Sequence, residues 1–253
     1  TLVAASWLTM KPELSGSMES SVAISVFCST YEMNDFVSRP YSMVDLRSRS
    51  CYTDTMELFH LLNRGVDKRL IFMNNDDRVR FVHNMYEFND KVDANNTRRS
   101  TQMGDFVSRS LREPIVEIHG WCLMGNHYHL LLSEIIEGGI TLFIRRLNIG
   151  YAKFFNEKYK RSGTLFQGRT KKIHIASDAH FLHILHYIHL NPLDFLNGSE
   201  DWRNLEIRDA RGAMEYLNEY RWSSYLDYCG KDNFPSLLTK DLFGGVFKDY
   251  NND

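Results

Sequence analysis

No stretch of the chain approaches the roughly 20 apolar residues in a row that a bilayer span needs. No charged start followed by an apolar core marks a signal peptide. Cysteine is scarce. Cys28, Cys51, Cys122 and Cys229 stand far apart among 253 residues and make no paired ligand motif. That argues against a disulfide scaffold and fits free thiols in a reducing compartment. An excess of charge is lacking too, since 30 Lys and Arg stand against 32 Asp and Glu, a net charge of -2. Global charge therefore says nothing of a polyanionic partner, and only its local distribution can. No internal repeat is present. What remains is a chain of ordinary apolar and charged content, expected to be cytoplasmic, with one sizeable domain plus appendages.

The first fifty-odd residues read differently from the rest. "SGSMESSVAISVFCSTYEMNDFVSRPYSMVDLRSRS" is rich in serine and carries no sustained period. The chain begins at Thr1, and structure is expected to begin just after Met56, which makes Met56 an alternative start. Residues 1–55 are expected to be weakly ordered or upstream of the true start. The expected division is then a domain over 56–200 and a helical extension over 201–253.

From Met56 the signals sharpen. "MELFHLLNRG" reads as a strand and "KRLIFMN" as a second, short one. "NDDRVRFVHNMYEFNDKV" has an acidic capped start and Val79, Val82 and Met85 at helical spacing. A polar connection over 89–113 follows, long for a loop. "IVEIHGWCLMG" and "HYHLLLSEII" form a strand pair turning at Gly125-Asn126. "GGITLFIRRLNIGYAKFFNEKYKR" is a long amphipathic helix, and "GTLFQGRTKKIHI" a strand or strand-like hairpin. "SDAHFLHILHYIHLNP" is a helix with Ser177 as N-cap and Pro192 as stop. Strands and helices mixed in this order predict an α+β domain, an antiparallel sheet covered by helices.

The stretch "GNHYHLLL" carries the first chemical signal. Side chains alternate on a strand, so His127, His129, Leu131 and Ser133 point one way and Tyr128, Leu130 and Leu132 the other. Two imidazoles about 7 Å apart on one face can converge on a cation and leave most of its coordination sphere open. The plain alternative is a strand's polar face. In "LHYIHLNP", Tyr187 and Asn191 are four apart and share a helix face. Phe181, Leu185 and Ile188 make a neighbouring apolar seam that can press the helix onto the sheet. Asn191 can offer an amide oxygen to a metal. The pair also fits a tyrosine at a core boundary and an asparagine capping a helix before proline. His183 is one turn before Tyr187.

Between Gly138 and Ile175 stand Arg145, Arg146, Lys153, Lys158, Lys160, Arg161, Arg169, Lys171 and Lys172, against one acidic residue, Glu157. Phe143, Tyr151, Phe154, Phe155, Tyr159 and Phe166 interleave. Charge to follow phosphates and rings to stack bases is the composition expected for single-stranded nucleic acid. A solvated helix face over core aromatics would read the same way. Arg145, Arg146, Lys153, Arg169, Lys171 and Lys172, with Arg64 at the end of the first strand, are the candidate DNA contacts.

Five blocks in this order resemble the single-tyrosine HUH transposases, and among them the REP-associated tyrosine transposases, relatives of the IS200/IS605 group: "FHLLNRGVDKRLIF", "GWCLMGNHYHLLL", "LNIGYAKFFNEKYKRSGTLFQGR", "LHYIHLNPL" and "YRWSSY". The resemblance covers roughly Met56 to Gly230. It implies a ferredoxin-like α+β sandwich with the HUH strand central in the sheet. It implies that His127 and His129 hold a divalent metal, Mg²⁺ or Mn²⁺, with Asn191 as third ligand. It implies that Tyr187 attacks the scissile phosphate to form a 5′-phosphotyrosine link, with Tyr151 in the preceding helix ranked below it. The implied partner is single-stranded or hairpin DNA, and the implied state monomer or homodimer. Gly125 departs from the proline that relatives often carry there. Two other readings stand beside it: a zinc hydrolase using the H-x-H pair, and a DNA-hairpin binder that has lost cleavage.

Overall fold

A computed structural model describes residues 57–92, 112–204 and 207–243. The serine-rich start, Met56 and most of the 89–113 connection lie outside the described residues. Strand β1 (Leu58–Arg64) alternates as a two-sided strand should: Phe59 and Leu61 enter one core, while Leu58 enters the other and His60 and Arg64 share its face. A 3-10 turn, Val66–Lys68, follows. "KRLIFMN" does not continue as a strand. The N–H groups of Ile71 and Phe72 both donate to one carbonyl, that of Gly125, at 2.9 and 3.1 Å. One shared acceptor cannot make a ladder, so the apolar run packs as a turn against the β-hairpin.

Helix α1 (Asn75–Phe88) starts in a capping box between Asn74 and Asp77. It buries Phe81, Val82 and Met85, while Val79, expected on the same face, is 50% exposed. Strands β2 (Val116–Leu123) and β3 (His127–Glu134) form the hairpin, helix α2 (Gly139–Lys158) returns over the sheet, and β4 (Lys171–His174) completes it. β4 is short, and the "GTLFQG" that leads into it touches the sheet through one bridge, Gly65 to Phe166. The sheet order is β2-β3-β1-β4, every neighbouring pair antiparallel. Together with the chain order βαββαβ this is the ferredoxin-like sandwich.

Helices α1 and α2 cover one face. Asp77, fully buried, ties them by accepting from Lys158 Nζ at 2.7 Å and the Tyr159 hydroxyl at 2.8 Å. Helix α3 (Asp178–Leu190) covers the other face, where Ile184, Leu185 and Ile188 pack on Leu58, Cys122 and Leu131. Ser177 caps α3 by accepting from the His180 N–H. The absence of a side chain at Gly120 lets α3 lie close, since a Cβ there would come within 2.7 Å of the Leu185 Cδ1. Pro192 does not stop the chain's winding: α3 passes into a 3-10 turn, Asn191–Phe195.

The later residues finish the sheet. Helices α4 (Ala210–Glu219) and α5 (Tyr225–Tyr228) flank "RWSS". The Leu123 N–H donates to the Trp222 carbonyl at 2.9 Å, and the Ser224 N–H to the Trp121 carbonyl at 2.9 Å. That pairing closes the outer edge of β2, which would otherwise present unpaired backbone groups. Cys122 and Cys229, the two cysteines among the described residues, are free thiols. No helix of the described residues is long and apolar enough to cross a membrane.

Candidate functional site

The site lies where α3 crosses the ends of β1 and β3. Alternation brings His127 and His129 to one face of β3 with ring centroids 4.9 Å apart. Register places Leu62 opposite His129 on one side and opposite Lys171 on the other. The two imidazoles thus lie side by side, and a third ring joins them. His60 Nε2 lies 2.9 Å from His129 Nδ1, with the two rings stacked. Helix α3 sets Tyr187 against both, 5.9 Å from His60 and 5.8 Å from His129, each edge to face.

Hydrogen bonds fix which atoms these groups present. The Asn126 amide donates from Nδ2 to the Lys68 carbonyl, so its Oδ1 faces His127 Nδ1 at 2.6 Å. That oxygen only accepts, so the neutral His127 carries its proton on Nδ1 and keeps a lone pair on Nε2. His129 Nε2 is buried and has no hydrogen-bond partner. A lone pair there requires the proton on Nδ1, donating to His60. The Asn191 amide donates from Nδ2 to the Tyr187 carbonyl at 2.6 Å. Its Oδ1 is buried and without a partner. Two imine nitrogens and one amide oxygen are thus left as bare acceptors. Burial holds His127 down to about 4 and His129 well below its usual value, so both rings are neutral near pH 7. Among the described residues no group of three His, Cys, Asp or Glu side chains makes a metal set. Buried lone pairs without protein donors suit a cation, and imidazole nitrogen favours a first-row ion such as Mn²⁺ over the oxygen-seeking Mg²⁺.

The phenol of Tyr187 is raised by burial, with Asp194 adding to the rise, and the positive charges of Arg203 and Arg64 draw it partly back. Arg64 pairs with His127 across the strands and so shares this face. Lys171 shares the site face through its pairing with Leu62. Lys172 instead lies over the Phe59 ring at 3.7 Å, on the face of α1 and α2. Arg145, Arg146 and Lys153 ride on α2, behind the sheet from Tyr187; Arg146 donates to the Asp90 carbonyl. Arg169 is exposed in the loop before β4. The basic run is thus divided between two layers. Tyr151 lies in the α1–α2 core, fully buried, its hydroxyl donating to the Ile71 carbonyl at 2.5 Å. His183 is exposed on α3.

Sequence reasoning missed His60 and Arg203. His60 had a signal: it is two and four residues before Leu62 and Arg64, so the alternation that brings Arg64 to this face brings His60 as well. Arg203 had none, because it lies in a stretch without periodicity.

A ferredoxin-like sheet that shows two neutral imidazoles to a tyrosine on its covering helix is thus the class of domain present. Residues 81–191 match the family described as transposase, IS200 like. The span holds His127, His129, Tyr187 and Asn191 but not His60, Arg64 or Arg203. A solved structure of a REP-associated tyrosine transposase bound to a REP hairpin is similar over 74% of this chain and 87% of its own, at 13% identity and a TM-score of 0.41. No curated protein matches the chain.

Proposed function

We propose that the chain cleaves and rejoins single-stranded DNA, with Tyr187 as nucleophile and His127, His129 and Asn191 as ligands of one Mg²⁺ or Mn²⁺. The observation that carries this is a buried His129 Nε2 and a buried Asn191 Oδ1, both without hydrogen-bond partners, beside a tyrosine packed edge-on against His129. A bound divalent ion would supply Lewis-acid polarisation of the scissile phosphodiester. Tyr187 Oη bonds to phosphorus as the P–O3′ bond breaks. The phenolic proton leaves, the 3′ oxygen gains a proton, and a 5′-phosphotyrosine remains. The bond count is unchanged, so a 3′-hydroxyl can reverse the step on another strand. Hairpin-forming DNA and a place among the REP-associated group follow from the resemblance in the five sequence blocks.

The test compares one sequence as a single strand, as a hairpin with single-stranded flanks and as a blunt duplex, each with Mg²⁺ or Mn²⁺. A denaturation-resistant protein–DNA adduct should form on the first two and vanish with chelator. In-line attack needs the phosphate drawn against the helix and its bases splayed, which a duplex resists. Cleavage of the duplex without an adduct would put the metal hydrolase reading in front.

The histidine pair gives a second expectation. If His60 accepts from His129 Nδ1 and so fixes its ring, His60→Phe should weaken Mn²⁺ binding about 10- to 100-fold. Calorimetric titration of the folded variant reads this directly. Unchanged affinity would mean that His60 only fills space.

A further inference from the structure

We infer that Arg203 is a positioning residue of this site, orienting the Tyr187 hydroxyl, and that the 3-10 segments after α3 exist in this chain to hold it there. The inference rests on the strand-transfer reading above. Arg203 lies beyond the span that matches the transposase family, yet it stacks on Trp202, whose ring packs against Tyr187, and its charge draws the phenol down. It is not a loose surface arginine. Its two terminal nitrogens donate to the two carboxylate oxygens of Asp194, the second at 2.7 Å. Its plane lies over the Trp202 ring at 4.3 Å. The Trp202 indole N–H donates to the same carboxylate at 2.7 Å. Trp202 itself is buried and touches the Tyr187 ring, centroids 5.8 Å apart. Asp194 comes three residues after Asn191, on the 3-10 turn Asn191–Phe195, and Arg203 is on the next one, Glu200–Asn204.

Each contact removes a freedom. The fork geometry of the bidentate pair sets the guanidinium plane. Stacking on Trp202 sets its height. Trp202 locks the carboxylate that holds it. The phenol has one torsion left, the rotation of its O–H, and on this inference a guanidinium N–H donating to Oη is what fixes it. A guanidinium has five N–H donors, of which the carboxylate takes two and, on the same inference, the phenol one. The remaining donors are of the kind that hold phosphate oxygens. A lysine could bear the charge but could not make the fork and the stack together.

The experiment measures adduct formation on a single-stranded hairpin substrate for the wild type, Arg203→Ala, Arg203→Lys and Asp194→Asn. DNA binding and melting temperature are measured beside it. Arg203→Ala should slow adduct formation about 100-fold, the cost of losing one aligned donor, with binding nearly unchanged. Added methylguanidinium should restore part of that loss, and Arg203→Lys should restore less than the ion does. A structural lesion would not respond to the ion. In the resting protein, ¹⁵N spectra of arginine side chains should show a slowly rotating guanidinium that is freed by Tyr187→Phe only in part and by Asp194→Asn fully. An active wild type with an equally active Arg203→Ala overturns this inference alone. A loss with no response to methylguanidinium overturns it as well. A wild type that forms no adduct on any single strand overturns the transfer reading and Arg203's role with it.

Discussion

Tyr187→Phe should form no covalent adduct with a single-stranded hairpin and should still bind that hairpin nearly as well as the wild type. The substitution removes one oxygen and keeps the ring that packs against His60, His129 and Trp202. Tyr151→Phe should behave in the opposite way. Tyr151 is buried between α1 and α2, and its hydroxyl serves the Ile71 carbonyl. Removing it leaves a buried acceptor unpaired, costing roughly 1–3 kcal/mol, while adduct formation continues. Denaturing gels score the adduct, and thermal melting scores the stability. An adduct from the Tyr187 variant that disappears in the Tyr151 variant would reverse the two assignments.

Acidification should weaken the fold well above the usual acid range. Burial holds His60 down to about 4 and His189 to about 3, against 6.5 for a free imidazole. Burial pushes His119 and His129 in the same direction. Such groups are neutral in the folded chain, and below pH 6.5 the unfolded chain takes up protons that the folded one refuses. Their contribution is therefore whole above pH 6.5 and shrinks as pH falls toward the folded values. One pH unit is worth about 1.4 kcal/mol per group, so at pH 5 His60 and His189 cost about 2 kcal/mol each. Against a total of roughly 5–15 kcal/mol that is a large share. The melting temperature, followed by circular dichroism in chelator, should fall by about 10 °C or more from pH 7.5 to pH 5. A flat profile would mean that these rings accept protons without unfolding.

The site was readable where a period carried it. Alternation on β3 sent His127 and His129 to one face, and the four-residue offset on α3 joined Tyr187 to Asn191. Both are local rules that tertiary packing leaves intact. Val79 shows the limit of the same reasoning. A row at i, i+3, i+6 drifts around the axis, so Val79 and Met85 lie about 120° apart, and the buried face follows Phe81, Val82 and Met85 instead. "KRLIFMN" has a strand's composition, but its N–H groups found one carbonyl across the hairpin, which no window of sequence displays. The basic run read as a single surface because its residues are contiguous. The sheet separates them, with α2 on one face and Arg64 and Lys171 toward the other. Arg203 was beyond reach altogether, since only the fold of an aperiodic segment brings it back to a helix sixteen residues earlier.

The donor set has a consequence in its sum of charges. His127, His129 and Asn191 would give a metal three atoms and no negative charge. The Asp194 carboxylate nearby is already committed to Arg203. Arg64 and Arg203 add positive potential of their own around the phenol. On the proposed reading, a doubly charged ion entering this pocket alone meets no counter-charge. The first anion available to it is the phosphodiester itself. Substrate and cofactor would then bind as linked ligands, each raising the affinity for the other by the same factor. The resting protein would hold its metal weakly, and the strand to be cut would complete the centre that cuts it.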